Sequence, residues 1–312
     1  MKVLSLFSGI GGLDAGFEKT GFKIVWANDF DKYAVETYKA NYDSPIVLGD
    51  INSIPLDSLP DFDILIGGFP CQPFSMMGSE LGFEDARGTL FFRIAEIIKH
   101  KIEAGKKPRA IILENVRTLR THDKGRTFKT IKRILTEELG YTVYDSVLNT
   151  ADFGIPQTRN RTYIVCFANN AAEFTFPEKQ TLTLTLQDLL EHDVASKHFL
   201  SDTILPTILS DGTGGYKAKS EIDLKIARPL CATMAKMHRA CQDNYVTQNG
   251  RVRRLTPREC ARLQGFDDSF IIPVSDSQAY KQFGNAVTVN VSAAVAGQVR
   301  ITLENLGEWK DE

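Results

Sequence analysis

From the N-terminus to about residue 170, short continuous apolar runs alternate with longer stretches of helical spacing. Val3–Phe7, Phe22–Ala27, Ile46–Leu48, Asp63–Ile66, Ala110–Leu113, Thr142–Leu148 and Thr162–Phe167 read as strands. Leu13–Lys19, Lys32–Asn41, Leu90–Ile102 and Thr127–Leu139 read as helices, and in the third Phe91, Ile94, Ile98 and Ile102 share one stripe. Strands without polar alternation are covered on both faces, so the pattern predicts an α/β fold with a mostly parallel sheet and helices on both sides. Near residue 170 the pattern changes. Residues 175–253 hold Gly212-x-Gly214-Gly215, several prolines and short β-like runs without a helical period, which predicts a smaller, irregular, β-rich domain. Helical patterning returns at Pro257, and Ala279–Leu306 is a long segment rich in Ala and Val. No internal repeat interrupts this order.

Composition refines the picture in two places. The 312 residues are 43% hydrophobic, enough for a substantial core, and the formal net charge is only −2. That charge is unevenly spread. Residues 1–105 carry 9 Lys/Arg against 15 Asp/Glu, whereas residues 199–262 carry 11 against 6. The asymmetry predicts an acidic body and a basic region facing a polyanion. Five cysteines, at 71, 166, 231, 241 and 260, are far apart and odd in number, which argues against a disulfide framework and a structural zinc site. The five histidines are scattered, so no metal site is expected. The first residues read as strand and loop rather than a signal peptide, and no apolar run reaches the length of a membrane span. A cytoplasmic protein without membrane contact is expected.

Candidate chemistry gathers at strand ends. The first strand runs into Phe7-Ser8-Gly9-Ile10-Gly11-Gly12-Leu13-Asp14. A dinucleotide fingerprint needs glycine where Asp14 stands, and no Gly-Lys-Ser/Thr follows to make a P-loop. The second strand ends at Asn28-Asp29, where an acid can bind ribose hydroxyls, and Gly49-Asp50-Ile51 follows the third. A glycine loop with two acids at strand ends suits an adenosine ligand lacking a pyrophosphate, and S-adenosyl-L-methionine fits. The fourth strand leads into Gly67-Gly68-Phe69-Pro70-Cys71-Gln72-Pro73-Phe74-Ser75, a turn that presents a thiol as a nucleophile. Ala110–Leu113 delivers Glu114-Asn115-Val116 to the same edge, and Gln157-Thr158-Arg159-Asn160-Arg161 places two arginines at alternate positions, on one face.

With these motifs in order, the chain resembles the DNA (cytosine-5)-methyltransferases in their compact bacterial, restriction-modification form. Residues 253–266, Arg-Arg-Leu-Thr-Pro-Arg-Glu-Cys-Ala-Arg-Leu-Gln-Gly-Phe, and residues 282–287, Gln-Phe-Gly-Asn-Ala-Val, complete the set. The resemblance implies a Rossmann-like S-adenosylmethionine-dependent methyltransferase fold. The catalytic domain would be 1–174 plus 270–312, and the target-recognition domain 175–269. It implies methyl transfer to C5 of a flipped-out cytosine in a short duplex DNA sequence, leaving S-adenosyl-L-homocysteine. Cys71 would add to C6, Glu114 would protonate or hydrogen-bond N3, and Arg161 with Arg159 would hold O2. For the cofactor, Phe7 would stack on adenine, Asp29 would take the ribose hydroxyls and Asp50 the adenine amine. Gly9, Gly11, Gly12, Leu13, Phe30, Ile51, Pro70, Leu90, Asn285 and Val287 would complete the pocket. DNA contacts fall to Gln72, Ser75, Arg87, Thr233, Lys236, Arg239 and Arg253, with Ser75–Gly88 expected to close over the flipped base. Double-stranded DNA is the expected partner of a monomer, with a restriction endonuclease acting on the same site without direct contact. The alternatives are a tRNA cytosine-5 methyltransferase, an amino-group methyltransferase, a nicotinamide oxidoreductase and a catalytically silent DNA-binding relative.

Overall fold

The computed structural model describes residues 1–70, 90–211, 219–236 and 240–309. By its internal contacts the chain divides into two units: 1–148 with 160–178 and 291–312, and 149–159 with 179–290. The division expected from sequence differs in three segments: 149–159 and 270–290 fall in the second unit, and 175–178 in the first.

The first unit is built on β1 (Lys2–Leu6), α1 (Gly12–Glu18), β2 (Lys23–Asp29), α2 (Lys32–Asn41), β3 (Ile46–Leu48), β4 (Ile64–Gly67), α3 (Leu90–Glu103), β5 (Ala110–Val116), α4 (Arg126–Arg133), β6 (Thr142–Asn149) and β7 (Asn160–Phe167). The seven strands form one sheet in the order β3-β2-β1-β4-β5-β7-β6. β1 to β5 pair in parallel, and β7 runs antiparallel to β5. The central strands are apolar without alternation because helices cover both faces: Leu4, Ile64, Leu65, Ile66 and Ile111–Leu113 are all fully buried. α3 contributes a wider stripe than its spacing predicts, with Phe92, Ala95 and Ile97 buried beside Phe91, Ile94 and Ile98. α2 starts where the Asp31 carboxylate accepts from the amides of Tyr33 and Ala34. The helix expected over Thr127–Leu139 changes pitch, passing from α4 into a π-type turn at Ile134–Glu138.

Two placements follow from this topology. Parallel strands bring the ends of β1, β2, β4 and β5 to one edge. Antiparallel β7 then begins where β5 finishes, with Arg161 opposite Val116 and Tyr163 opposite Glu114. β5 also runs to Val116 rather than stopping at Leu113, so Glu114 and Asn115 are strand residues with fixed facing.

The second unit holds α5 (Leu205–Ile208), the antiparallel pair β8 (Tyr245–Gln248) and β9 (Arg251–Arg254), α6 (Pro257–Leu263) and α7 (Asp276–Asn285). α8 (Val289–Asn305) begins there and continues into the first unit. The single segment expected over Ala279–Leu306 is thus broken at 286–288. The stretch Asp276–Asn305 is long and apolar enough by composition to cross a membrane, contrary to the sequence reading, yet 56% of its most apolar window is buried within the protein, as in a core helix. α6 opens with a reciprocal cap: Thr256 Oγ1 accepts from the Glu259 amide and the Glu259 carboxylate accepts from the Thr256 amide.

Candidate active site

At the end of β1 the chain turns through Phe7 (φ 55°), Gly9 (φ 55°) and Gly11 (φ 81°) before α1 begins. Gly9 and Gly11 adopt this region at little cost, whereas Phe7 is strained there. The loop is pinned from above and below. The Gly9 amide donates to Asp29 Oδ2 (2.8 Å), whose other oxygen accepts from the Asp31 amide (2.8 Å). Burial raises the Asp29 pKa, and those amide bonds oppose the rise. Below, Ser5 Oγ (2.7 Å) and Tyr38 OH (2.7 Å) donate to the two oxygens of Asp14, which is fully buried. A side chain at Gly11 would strike the Tyr42 ring at 2.4 Å, while a Cβ on Gly9 or Gly49 would meet nothing within 4 Å. Beside that open space lie Phe30, 73% exposed, and Leu48, 51% exposed. Gly12, Leu13 and Ile51 are buried beneath the edge; Asp50 caps the turn that follows it by accepting from the Asn52 amide.

The second cluster sits at the end of β5. Glu114 and Arg161 are diagonal neighbours on adjacent strands, and Arg161 Nε lies 3.1 Å from Glu114 Oε1. Asn115 faces the other way. Its Nδ2 donates to the Phe69 carbonyl (2.7 Å) and its Oδ1 accepts from the Val116 amide, tying β5 to the segment after β4. Pro70 follows Phe69 and is exposed; Leu90 opens α3 and packs on the core beside it. Cys71, Gln72, Ser75, Arg87 and Arg239 lie outside the described residues, as does the expected closing loop. No group of three or more His, Cys, Asp or Glu able to hold a metal occurs among the described residues.

A family model described as C-5 cytosine-specific DNA methylase matches residues 1–300. The chain belongs to the C-5 cytosine-specific DNA methylases. It is 47% identical over 310 residues to the type II methyltransferase M.NgoBI of Neisseria gonorrhoeae, covering 94% of this chain and 91% of that one. To M.HaeII of Haemophilus aegyptius it is 46% identical over 303 residues, covering 96% and 92%. Among solved structures, the S. pombe Dnmt2 methyltransferase matches with a TM-score of 0.78 over 98% of this chain and 99% of that one. At 22% identity that likeness shows the fold, a Rossmann-like methyltransferase sheet. The protein is therefore a DNA cytosine-C5 methyltransferase of the restriction-modification class.

Two arginines assigned from sequence stand elsewhere in this methylase. Arg159 was expected against the base. Its guanidinium is instead buried in the second unit, donating to the carbonyls of Leu230 (2.9 Å), Gly284 (3.0 Å) and Ala286 (2.8 Å). It caps the C-terminus of α7, which explains the helix break there. A side chain at Gly284 would strike the backbone of Cys231 and Ala232 at 2.3 Å, so glycine is needed at this crossing. Arg253 was expected on phosphate. It is fully buried and gives both terminal nitrogens to Glu259, at 2.7 and 2.8 Å, so it cannot reach a duplex. Three other cations of 199–262 carry ion pairs nearer the surface: Arg228 and Lys219 with Glu221, and Arg262 with Asp268. Thr233 and Lys236 are exposed. Asn285, the last residue of α7, is exposed and Val287 half-buried.

Sequence reasoning missed three supports. Gln157 joins the Leu263 carbonyl to the Leu230 amide inside the second unit. Asn115 holds Phe69. Asp14, weighed only as an acid in a glycine slot, is the buried anchor of the loop; a carboxylate in the first turn of the helix after a glycine loop was the available signal.

Proposed function

We propose that this methylase transfers the methyl group of S-adenosyl-L-methionine to C5 of a cytosine extruded from a short duplex DNA sequence, through a covalent bond from Cys71 to C6. The observation that carries the reading is the Glu114–Arg161 pair, 3.1 Å apart at the edge where β4 leads into Pro70-Cys71. Addition of the Cys71 thiolate to C6 pushes electrons toward N3 and C5. Glu114 meets that charge at N3, by hydrogen bond or proton, and Arg161 steadies Glu114 while reaching the O2 side of the ring. With C5 made nucleophilic, a base, which a water can supply, removes its proton after alkylation and the Cys71 thiolate leaves. Extrusion costs a few kcal/mol of stacking and pairing, which contacts between protein and DNA offset.

The first unit fits the cofactor. Open space over Gly9 and Gly49, the strained Phe7, the exposed Phe30 and Leu48, and the Asp29 and Asp50 carboxylates at successive strand ends suit an adenosine group. Asp29 would take ribose hydroxyls, Asp50 the adenine amine, and Phe7, Phe30 and Ile51 the ring faces, with Pro70 and Leu90 closing the pocket. When bound, the cofactor supplies an electrophilic methyl on a sulfonium. Thr233 and Lys236, with Gln72, Ser75, Arg87 and Arg239, are the proposed DNA contacts. The enzyme is proposed to act as a monomer, beside a restriction endonuclease that reads the same site without touching it.

Methylation of random-sequence duplex DNA followed by bisulfite sequencing tests the reading, with tRNA assayed in parallel. The expected result is C5 methylation at one short duplex motif, none by Cys71→Ala, and a covalent adduct with 5-fluorocytosine DNA. Normal turnover by Cys71→Ala, or methylation of tRNA alone, refutes it.

A further inference from the structure

Beneath the glycine loop lies a closed chain of polar contacts that the transfer chemistry does not use. Tyr38 OH donates to Asp14 Oδ2, Ser5 Oγ donates to Asp14 Oδ1, and Ser5 Oγ meets Ser8 Oγ at 2.9 Å. Ser8 Oγ in turn accepts from the Asn28 amide (3.3 Å), at the end of β2. Asp14, Ser5 and Tyr38 are all fully buried. An uncharged side chain could satisfy these partners, so a carboxyl here adds something that hydrogen bonding alone does not require. Burying it is costly unless it is neutral.

We propose that Asp14 is a positioning residue for the cofactor loop whose buried negative charge selects the cationic S-adenosylmethionine over its product, S-adenosylhomocysteine. This rests on the cofactor reading above. The two ligands share their adenosine and amino-acid ends; they differ by the sulfonium charge and one methyl. A negative charge under the loop attracts only the difference, and therefore helps the enzyme release product.

The surroundings offer that charge two hydroxyl donors and the first turn of α1, but no cation among the described residues. α2 presents Tyr38 and, behind it, Tyr42; the helix of Asp14 itself presents Glu18, with Asp43 beyond; β1 presents Ser5. Asp29 lies across the loop on the Gly9 amide. α8 meets α1 through Ser292, which donates to the Leu13 carbonyl, and its Arg300 donates to the Thr20 carbonyl beyond the other end of α1. Among the described residues no cation is hydrogen-bonded or ion-paired to the Asp14 carboxyl. Burial accordingly raises its pKa to about 7, and the Ser5 and Tyr38 bonds oppose that rise. The charge thus grows as pH rises through the neutral range. Protonation reverses one bond: Asp14 donates to Ser5, and Ser5 donates to Ser8.

Calorimetric titration of the full chain with each ligand, from about pH 6 to about pH 8.5, tests this. In the wild type the preference for S-adenosylmethionine should grow by about fivefold across that range, the order of magnitude of one charge–charge attraction through a medium between protein and water. Asp14→Asn, which keeps the hydrogen bonds, should show a lower preference at high pH and no such growth. Tyr38→Phe, which keeps the carboxyl but loses a bond that opposes its pKa rise, should still show the growth, displaced to higher pH. A merely structural Asp14 would weaken both ligands equally and leave their ratio flat with pH. Equal ratios in wild type and Asp14→Asn at about pH 8.5 overturn the proposal; if Asp14→Asn does not fold, a flat wild-type ratio does so. Failure of the wild type to bind either ligand instead overturns the cofactor reading.

Discussion

Replacing Glu259 by Gln removes one charge from a pair that has no water to fall back on. Arg253 and Glu259 are both 0% exposed. The carboxylate accepts from Arg253 Nη1 (2.8 Å) and Nη2 (2.7 Å), from the Thr256 amide (2.8 Å) and from the Glu191 amide (2.8 Å). Four donors converge on two oxygens, so the amide nitrogen of the substituted side chain must face at least one donor wherever it is turned. The variant leaves a buried guanidinium held by Gln248 Oε1, the Arg254 carbonyl and the one remaining oxygen of the substituted side chain. Breaking such a pair costs about 3–5 kcal/mol, and the cap of α6 adds to it. Urea unfolding, with hydrogen exchange at β8, β9 and α6 as the local probe, measures the loss. The double variant Arg253→Met with Glu259→Leu should recover at least about 2 kcal/mol of it, because a buried pair replaced by apolar groups costs little. The same double variant decides the DNA question. A phosphate contact at Arg253 would lower the salt slope of duplex binding by about one when removed, whereas a buried Arg253 leaves the slope unchanged. A Glu259→Gln cost under about 1 kcal/mol, or a slope lowered by about one, refutes the reasoning.

Glu114→Gln should lower turnover by about 10²–10³-fold with duplex binding retained, as single-turnover kinetics and gel shift would show; equal losses in both would remove Glu114 from the chemistry. Asn115→Ala leaves the buried Phe69 carbonyl without its donor and should cost about 1–3 kcal/mol in denaturant unfolding, with a slower rate of 5-fluorocytosine trapping; an unchanged trapping rate would separate that bond from the placement of Cys71. Asp14 should make stability depend on pH. Its folded pKa, about 7, exceeds the unfolded value of about 3.9, so its favourable contribution is complete below about pH 4 and is lost as pH rises to about 7. Relative to Asp14→Asn the wild type should weaken across that window by at most on the order of 4 kcal/mol, and parallel stability curves would contradict it.

How far the sequence could be read depended on whether a residue's role is set by its neighbours in the chain or across it. The sheet was legible because continuous apolar runs such as Ile64–Ile66 and Ala110–Leu113 have one explanation, burial on two faces. Glu114 and Asp29 were placed correctly at a strand edge for the same reason. Arginine was the weak point. Arg159 and Arg161 stand two residues apart and look alike in sequence, yet one caps α7 through Gly284 and Ala286 and the other meets Glu114. Nothing local separates them, because the deciding partners lie 125, 127 and 47 positions away.

Arg253 shows the same limit with a physical lesson about charge counts. The excess of cations in 199–262 suggested a polyanion, but a count cannot tell a guanidinium facing solvent from one bonded to Glu259. Glu259 itself carried a usable signal. It stands three residues after Thr256 and two after Pro257, a capping box at a helix start, which commits its carboxylate to the interior of a turn. An arginine six residues before such a carboxylate, on a strand leading into that helix, is better read as its partner than as a phosphate ligand. By that logic the charges left to meet DNA in the described second unit are those not committed to the interior, Lys236 and Lys225 among them, and both are exposed. Their replacement by alanine should therefore lower the salt slope of duplex binding where replacement of the Arg253–Glu259 pair does not.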